Sequence, residues 1–199
     1  MLTEIRPAIV LVVALALITG LIYPLAMTGL AQVLFPRQSN GSLIEQNGKI
    51  VGSALIGQQF SGAGYFHGRP SATTAPDPND ASKTVEAPYN AANSVGSNLG
   101  PTNKTLVERV KADVEKLKEE NPKGTIPIDM VTMSGGGLDP HITPEAAIFQ
   151  APRVAKARGL PEARVLQLMA EHIDGRVLGF IGEPRVNVLA LNMALDRAK

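Results

Sequence analysis

The 199-residue chain balances 19 Lys and Arg against 18 Asp and Glu, a formal net charge of +1, which excludes the clustered basic footprint of a nucleic-acid binder. It has no Cys, so disulfides, thiolate metal sites and thiol catalysis are excluded too. With five Phe, three Tyr and no Trp, any core must be mainly aliphatic.

From Pro7 to Pro36 there is no charged side chain, and Arg6 and Arg37 bracket the stretch. Within Ala8–Leu30, 18 of 23 residues are hydrophobic and twelve of these are Leu, Ile or Val. A bilayer core of ~30 Å needs roughly 20 apolar residues in a helix, so the segment can span with tilt. Ala14-Leu15-Ala16 has the shape of a signal-peptide cleavage site, but hydrophobicity continues well past it. Residues 1–36 therefore read as an uncleaved transmembrane anchor and residues 37–199 as one polar domain. The positive-inside rule leaves the orientation open, because Arg6 and the terminal amine on one flank face Arg37 and Lys49 on the other. Ala16, Gly20, Pro24 and Thr28 recur every four residues, a small-residue face of the kind that lets helices approach closely in lipid.

In the polar domain, Asn47-Gly48 between Leu43-Ile44 and Lys49-Ile50-Val51 predicts a hairpin over Ser42–Ser53 with a type I′ turn. Ser61–Asn103, where five each of Gly, Pro, Ser and Asn make up 20 of 43 residues, reads as an ordered but irregular surface. Lys104–Glu120 predicts a helix with Leu106, Val107, Val110, Val114 and Leu117 as its apolar stripe. Asn103, or Thr105 with Glu108, would cap it, and Glu108–Lys111, Asp113–Lys116 and Glu115–Lys118 would pair on its outer face. Ile126–Met133 suits a strand. Thr143-Pro144 opens a helix that Pro152 interrupts or restarts and Gly159 ends. Pro161 starts another, with Val165, Leu166, Leu168, Met169 and Ile173 inward, then Val177–Ile181 reads as a strand and Val186–Leu195 as an apolar helix. Helices and strands mix without a βαβ period, so the expected class is α+β: one N-terminal transmembrane helix and a single mixed α/β domain.

Chemical motifs are few. Ser134-Gly135-Gly136-Gly137 invites a phosphate-loop reading, but Leu138-Asp139 stands where the P-loop needs Lys and Ser or Thr. A glycine run of this kind more often makes a tight turn. Ser134, Asp139 and His141 suggest a hydrolase triad, although triads are assembled from separated loops. His67 and His172 stand too far apart for a zinc site, and His172 suits a helix C-terminus.

Four blocks carry a resemblance: Tyr65-Phe66-His67-Gly68-Arg69-Pro70-Ser71, Ser97-Asn98-Leu99-Gly100-Pro101-Thr102-Asn103, Gly137–Ala147 with Asp139-Pro140-His141, and Gly182–Asn192 with Arg185-Val186-Asn187. In this order, with one N-terminal span and this length, they resemble the C subunit of the Kdp potassium-transporting ATPase over essentially the whole chain.

The resemblance implies a non-catalytic accessory subunit of a bacterial or archaeal inner-membrane complex. Its partners would be a channel-like potassium-binding subunit, a P-type ATPase subunit and a small single-span subunit. The N-terminus would lie in the cytoplasm and the soluble domain outside the membrane. The subunit would be needed for assembly and activity, holding no cofactor of its own, while ATP and potassium act at the level of the complex. The family is also described as a catalytic chaperone that raises the ATPase subunit's affinity for ATP. Ser134–Gly137 would be its signature-like stretch, with Gly137 where glutamine is expected. An outer domain could reach cytosolic ATP only if that topology were reversed. Partner contacts would fall on Ala16, Gly20, Pro24 and Thr28 in the anchor, and on Tyr65, Phe66, His67, Arg69, Asn98, Asp139, His141, Arg185 and Asn187 outside it. A membrane-anchored hydrolase and a freestanding binding protein are the rival expectations.

Overall fold

The computed structural model describes residues 2–198, so the terminal amine weighed above lies outside them. The chain divides into two compact units, Met1–Val51 and Gly52–Lys199.

The first unit is dominated by an apolar helical rod: α1 (Leu2–Leu17), a π-helical turn (Ile18–Ile22) and α2 (Tyr23–Leu34), followed by the short α3 (Pro36–Ser39). Together Thr3–Leu34 is long and apolar enough to cross a membrane, with none of its most hydrophobic stretch buried in the protein. The π turn lies just before Pro24, whose ring removes one N–H from the ladder, and the Tyr23 N–H reaches back to the Ile18 carbonyl. Pro24 thus acts by widening the preceding turn. The predicted hairpin forms as β1 (Leu43–Gln46) and β2 (Lys49–Ser53). Asn47 and Gly48 have φ of 53° and 74°, as a type I′ turn requires.

The second unit is a mixed α/β arrangement with two small antiparallel sheets. In one, β3 (Thr74–Asp77) pairs with β4 (Asp80–Glu86). This hairpin lies inside the stretch expected to be irregular. Its turn is legible afterwards: Pro78 presets φ at the second position, and the Asp77 Oδ1 accepts from the Asn79 N–H at 2.8 Å. The other sheet has strand order β5–β7–β6, formed by β5 (His141–Ile142), β6 (Ile173–Asp174) and β7 (Arg185–Asn187), with Val186 between Ile142 and Ile173. Helices α5 (Pro144–Arg158), α6 (Glu162–Glu171) and α7 (Val188–Arg197) gather around it. Phe66, Ile142, Val154, Val165, Val186, Leu191 and Leu195 are fully buried in one aliphatic-rich core.

α4 (Lys104–Glu120) forms with the expected bounds, and Asn103 caps it, its side chain accepting from the Thr105 and Leu106 N–H groups. Its stripe is only half-buried, with Val107 exposed, and the ion pairs within the helix are Lys104–Glu108 and Arg109–Asp113 instead of the three expected. Ile126–Met133 is not a strand. It forms a 3-10 turn at Ile128–Met130 because the buried Asp129 carboxylate accepts from the Thr143 N–H (2.8 Å) and Oγ1 (3.2 Å), which curls the backbone around a polar group. Pro152 does not break α5: it lies on the exposed face with Ile148, where the loss of one N–H from the helical ladder is tolerated. Leu166 is half-buried and packs against the core as expected, whereas Ile173 is exposed, not inward. Val177–Ile181 is a tight turned loop closed by a single bridge, and Val186–Leu195 splits into β7 and α7 where the Asn187 side chain caps Ala190.

Candidate functional site

The segment Tyr65–Pro70 has no regular structure, yet its backbone is fixed by side chains from two helices. Asn192 on α7 accepts from the Phe66 N–H (2.8 Å) and donates to the Phe66 carbonyl (2.9 Å). Gln150 on α5 does the same for His67, accepting from its N–H at 2.8 Å and donating to its carbonyl at 3.1 Å. Both amides are fully buried, so each replaces a strand partner where water cannot. Arg153 and Arg158 hold the preceding turn: Arg153 donates to the Ala63 and Tyr65 carbonyls and pairs with Glu120 at 2.7 Å. Arg158 donates to the Gly64 carbonyl, pairs with Asp196 and lies 4.6 Å over the Tyr65 ring.

Phe66 therefore belongs to the core, which corrects its place among surface contacts. Tyr65 and His67 are half-buried. The His67 Nε2 donates to the Gly62 carbonyl at 3.1 Å. Burial, and then the nearby Arg153 charge, lower its pKa below the ordinary histidine value, against a weaker pull from the Gly62 bond and Glu120. His67 lines a cleft of about 450 Å3 with Phe60, Tyr89, Leu117 and Glu120 among its walls.

The cleft's far wall leads into a polar cluster. The Arg69 guanidinium donates to Asp139 at 3.1 Å and to the Thr132 and Met133 carbonyls at 3.4 and 3.2 Å. The Asp139 Oδ1 accepts from the His141 N–H at 3.0 Å, and His141 Nδ1 lies 3.6 Å from that oxygen. Burial pushes the Asp139 carboxyl up, but the His141 bonds and the Arg69 charge outweigh it and hold the group below the usual carboxylate range. Tyr89 donates to the Arg69 carbonyl at 2.6 Å, and its phenol is pushed up to about 12 by burial and then by the Asp139 charge, with Arg69 opposing. A second hollow of about 280 Å3 is lined by Arg69, Asp129, Asp139, His141 and Arg185 among others.

Ser134–Gly137 packs against this cluster as a tight turn. The Gly137 N–H points to the Ser134 carbonyl, while the Gly136 and Gly137 carbonyls accept from Ser94 (3.0 Å) and Ser71 (2.7 Å). Gly137 sits at φ 68°, and a Cβ there would meet Thr73 Cγ2 at 2.6 Å and the Val95 carbonyl at 2.8 Å. No glutamine could occupy this position without moving both. Ser134 is buried and shares no hydrogen bond with His141, so the triad residues divide into an Asp139–His141 pair and a separate serine. His172 donates from Nδ1 to the Leu168 carbonyl at the end of α6, as a satisfied helix-terminal histidine does. Of the other expected contacts, Asn98 is exposed at φ 51°, Arg185 is exposed, and Asn187 is occupied by its cap and by the Ala54 carbonyl at 3.0 Å. The amides Gln150 and Asn192 were the clearest omission; their signal was an uncharged polar side chain at a core position of an apolar helix face.

In the anchor, residues four apart drift by ~40° per step around an ideal helix. The π turn absorbs about one extra residue between Ala16 and Pro24, which cancels most of that drift. Ala16, Pro24 and Thr28 thereby return to within roughly 20–30° of one line along the rod.

These features define a membrane-anchored protein with one candidate span and a mixed α/β polar part. The family model for the c chain of the K+-transporting ATPase, KdpC, matches residues 5–197. A protein named potassium-transporting ATPase KdpC subunit from Rhodopseudomonas palustris (strain BisB18) is 69% identical over 199 residues, covering 100% of both chains. Its namesake from Bradyrhizobium diazoefficiens is 69% identical over 198 residues, covering 100% of this chain and 98% of the other. That of Methylobacterium nodulans is 68% identical over 196 residues, 98% of each. The chain belongs to the KdpC family, the c chains of the K+-transporting ATPase.

Proposed function

We propose that this chain is a non-catalytic subunit required for assembly and activity of a potassium-importing ATPase in a bacterial or archaeal inner membrane. The observation that carries the reading is the family match from residue 5 to residue 197, spanning anchor and polar part alike. The anchor of residues 1–36 packs against neighbouring membrane helices through the Ala16–Thr28 face. Residues 37–199 form the domain outside the membrane, with the N-terminus in the cytoplasm. Its partners are the channel-like potassium-binding subunit, the P-type ATPase subunit and the small single-span subunit. ATP and potassium are handled by those chains, and this one binds no cofactor of its own.

The internal use of the polar clusters supports the non-catalytic reading. Arg69, Asp139 and Tyr89 are engaged with one another or with backbone, and Ser134 and His141 are not coupled. The catalytic-chaperone role attributed to the family is retained only as an effect on the ATPase subunit, transmitted through contact. The Gly136 and Gly137 carbonyls of the glycine turn are already bonded, and the Gly137 N–H, one of the donors an anion would need, is spent inside it.

Two measurements test this. Tagged full-length chain, extracted in mild detergent, should bring down the other ATPase chains in fixed ratio; recovery alone, while those chains co-purify without it, refutes the reading. Because the chain has no native Cys, Ser82→Cys gives a single label site on an exposed strand. A membrane-impermeant maleimide should label it from outside the cell, and labelling only after lysis would reverse the topology.

A further inference from the structure

The loop between β6 and β7 exposes Val177, Leu178, Phe180 and Ile181 at 61%, 79%, 72% and 51%. Four large apolar side chains on one short loop exceed the single exposed residues that any surface carries. The loop is also built at a cost. The Phe180 N–H closes onto the Val177 carbonyl at 3.3 Å, and the two residues between, Leu178 and Gly179, have φ of 54° and 82°. Such a turn favours Asn or Gly at its first central position, and a leucine there is strained. The turn holds Leu178 outward at the most exposed point of the loop, where it contributes nothing to the chain's own core.

We infer that this loop is a preformed apolar plug that seats in an apolar hollow on another subunit of the same ATPase, an inference that rests on the subunit reading above. Charge favours a protein over a lipid surface. The rim cations are already matched, Arg176 to Glu183 at 2.6 Å and Arg185 to Asp174 at 3.8 Å, leaving no basic surplus for anionic headgroups. The loop also lacks the Trp or Tyr that anchors membrane-interface segments. Area disfavours a second copy of this chain. Four side chains fall well short of the ~1,200 Å2 that a stable complex buries, so the plug needs a partner already held nearby. Subunits held beside this chain by other contacts of the complex meet that condition, because being fixed in one assembly raises the effective concentration beyond what a shared bilayer alone gives a free second copy.

The test uses the full chain in the assembled complex. Leu178→Asn removes the apolar tip but suits the left-handed turn, so the isolated chain should melt at the same temperature or higher. Retention of the other subunits through detergent washes should fall roughly tenfold or more, the worth of one buried leucine. Phe180→Ser should act in the same direction. If the wild-type chain fails to co-purify, the subunit reading itself fails. If it co-purifies and Leu178→Asn is retained equally, or if Leu178→Asn lowers the chain's own melting temperature, only the plug is refuted. A photo-crosslinking amino acid in place of Leu178 should yield an adduct with another ATPase subunit. Adducts with lipid alone, or with a second copy of this chain, overturn the assignment.

Discussion

Two loops of the polar part solve opposite problems. Tyr65–Pro70 runs half-buried along the core, into which only Phe66 is fully sunk, without a strand partner, and Asn192 and Gln150 supply the missing hydrogen bonds from helices more than eighty residues away. Arg176–Gly182 stands outside with its own turn bonds and an apolar tip that touches no core. The first loop is irregular because other elements determine its path. The second is regular in itself and keeps its apolar surface for something else. Irregular backbone is thus not by itself a sign of a binding surface; what its polar groups bond to decides.

The largest expected effect breaks the first loop. Asn192→Ala would leave the buried N–H and carbonyl of Phe66 unpaired at ~1–3 kcal/mol each, a loss of about 2–6 kcal/mol by chemical denaturation. A loss below about 1 kcal/mol would mean that the amide is not holding the loop. Gly137→Ala tests the turn behind the Arg69 cluster. Positive φ and the close Thr73 and Val95 atoms predict a cost of ~2 kcal/mol, again by denaturation, with no change if the turn can open.

Asp139→Asn should be milder, under ~1 kcal/mol, because the pair is partly solvated. Its size is set by pH. The folded carboxyl sits below its unfolded value, so its contribution is complete above about pH 4. That contribution is lost as pH falls through the folded pKa. Stability curves of wild type and Asp139→Asn should therefore converge in acid; a gap that widens there would contradict the assignment. Smallest of all, Phe180→Ser should shift the chain's own stability by no more than ~0.5 kcal/mol, since most of the side chain is exposed.

The sequence made visible whatever rests on local patterning. The span followed from a long apolar run without a charged residue, the first hairpin from Asn47-Gly48, and the start of α5 from Thr143-Pro144. Failures came where distant groups decide. Ile126–Met133 reads as a strand until Asp129 finds Thr143, and Pro152 reads as a break until its face turns out to be solvated. Thr74–Glu86 hid a hairpin among residues with weak strand preference, since its pairing is fixed by register and a proline turn instead of apolar alternation. At the site, Asp139 and His141 were visible as neighbours. Their link to Arg69, seventy residues earlier, was not, nor were the buried amides on α5 and α7.

The central claim is that the chain makes the pump work without performing its chemistry. The direct measurement is potassium-stimulated ATP hydrolysis by the purified complex with the chain omitted and then restored, beside the chain alone. The account predicts no hydrolysis by the chain alone, loss of activity in its absence and recovery on adding it back. Hydrolysis by the isolated chain, or full activity without it, would contradict the account.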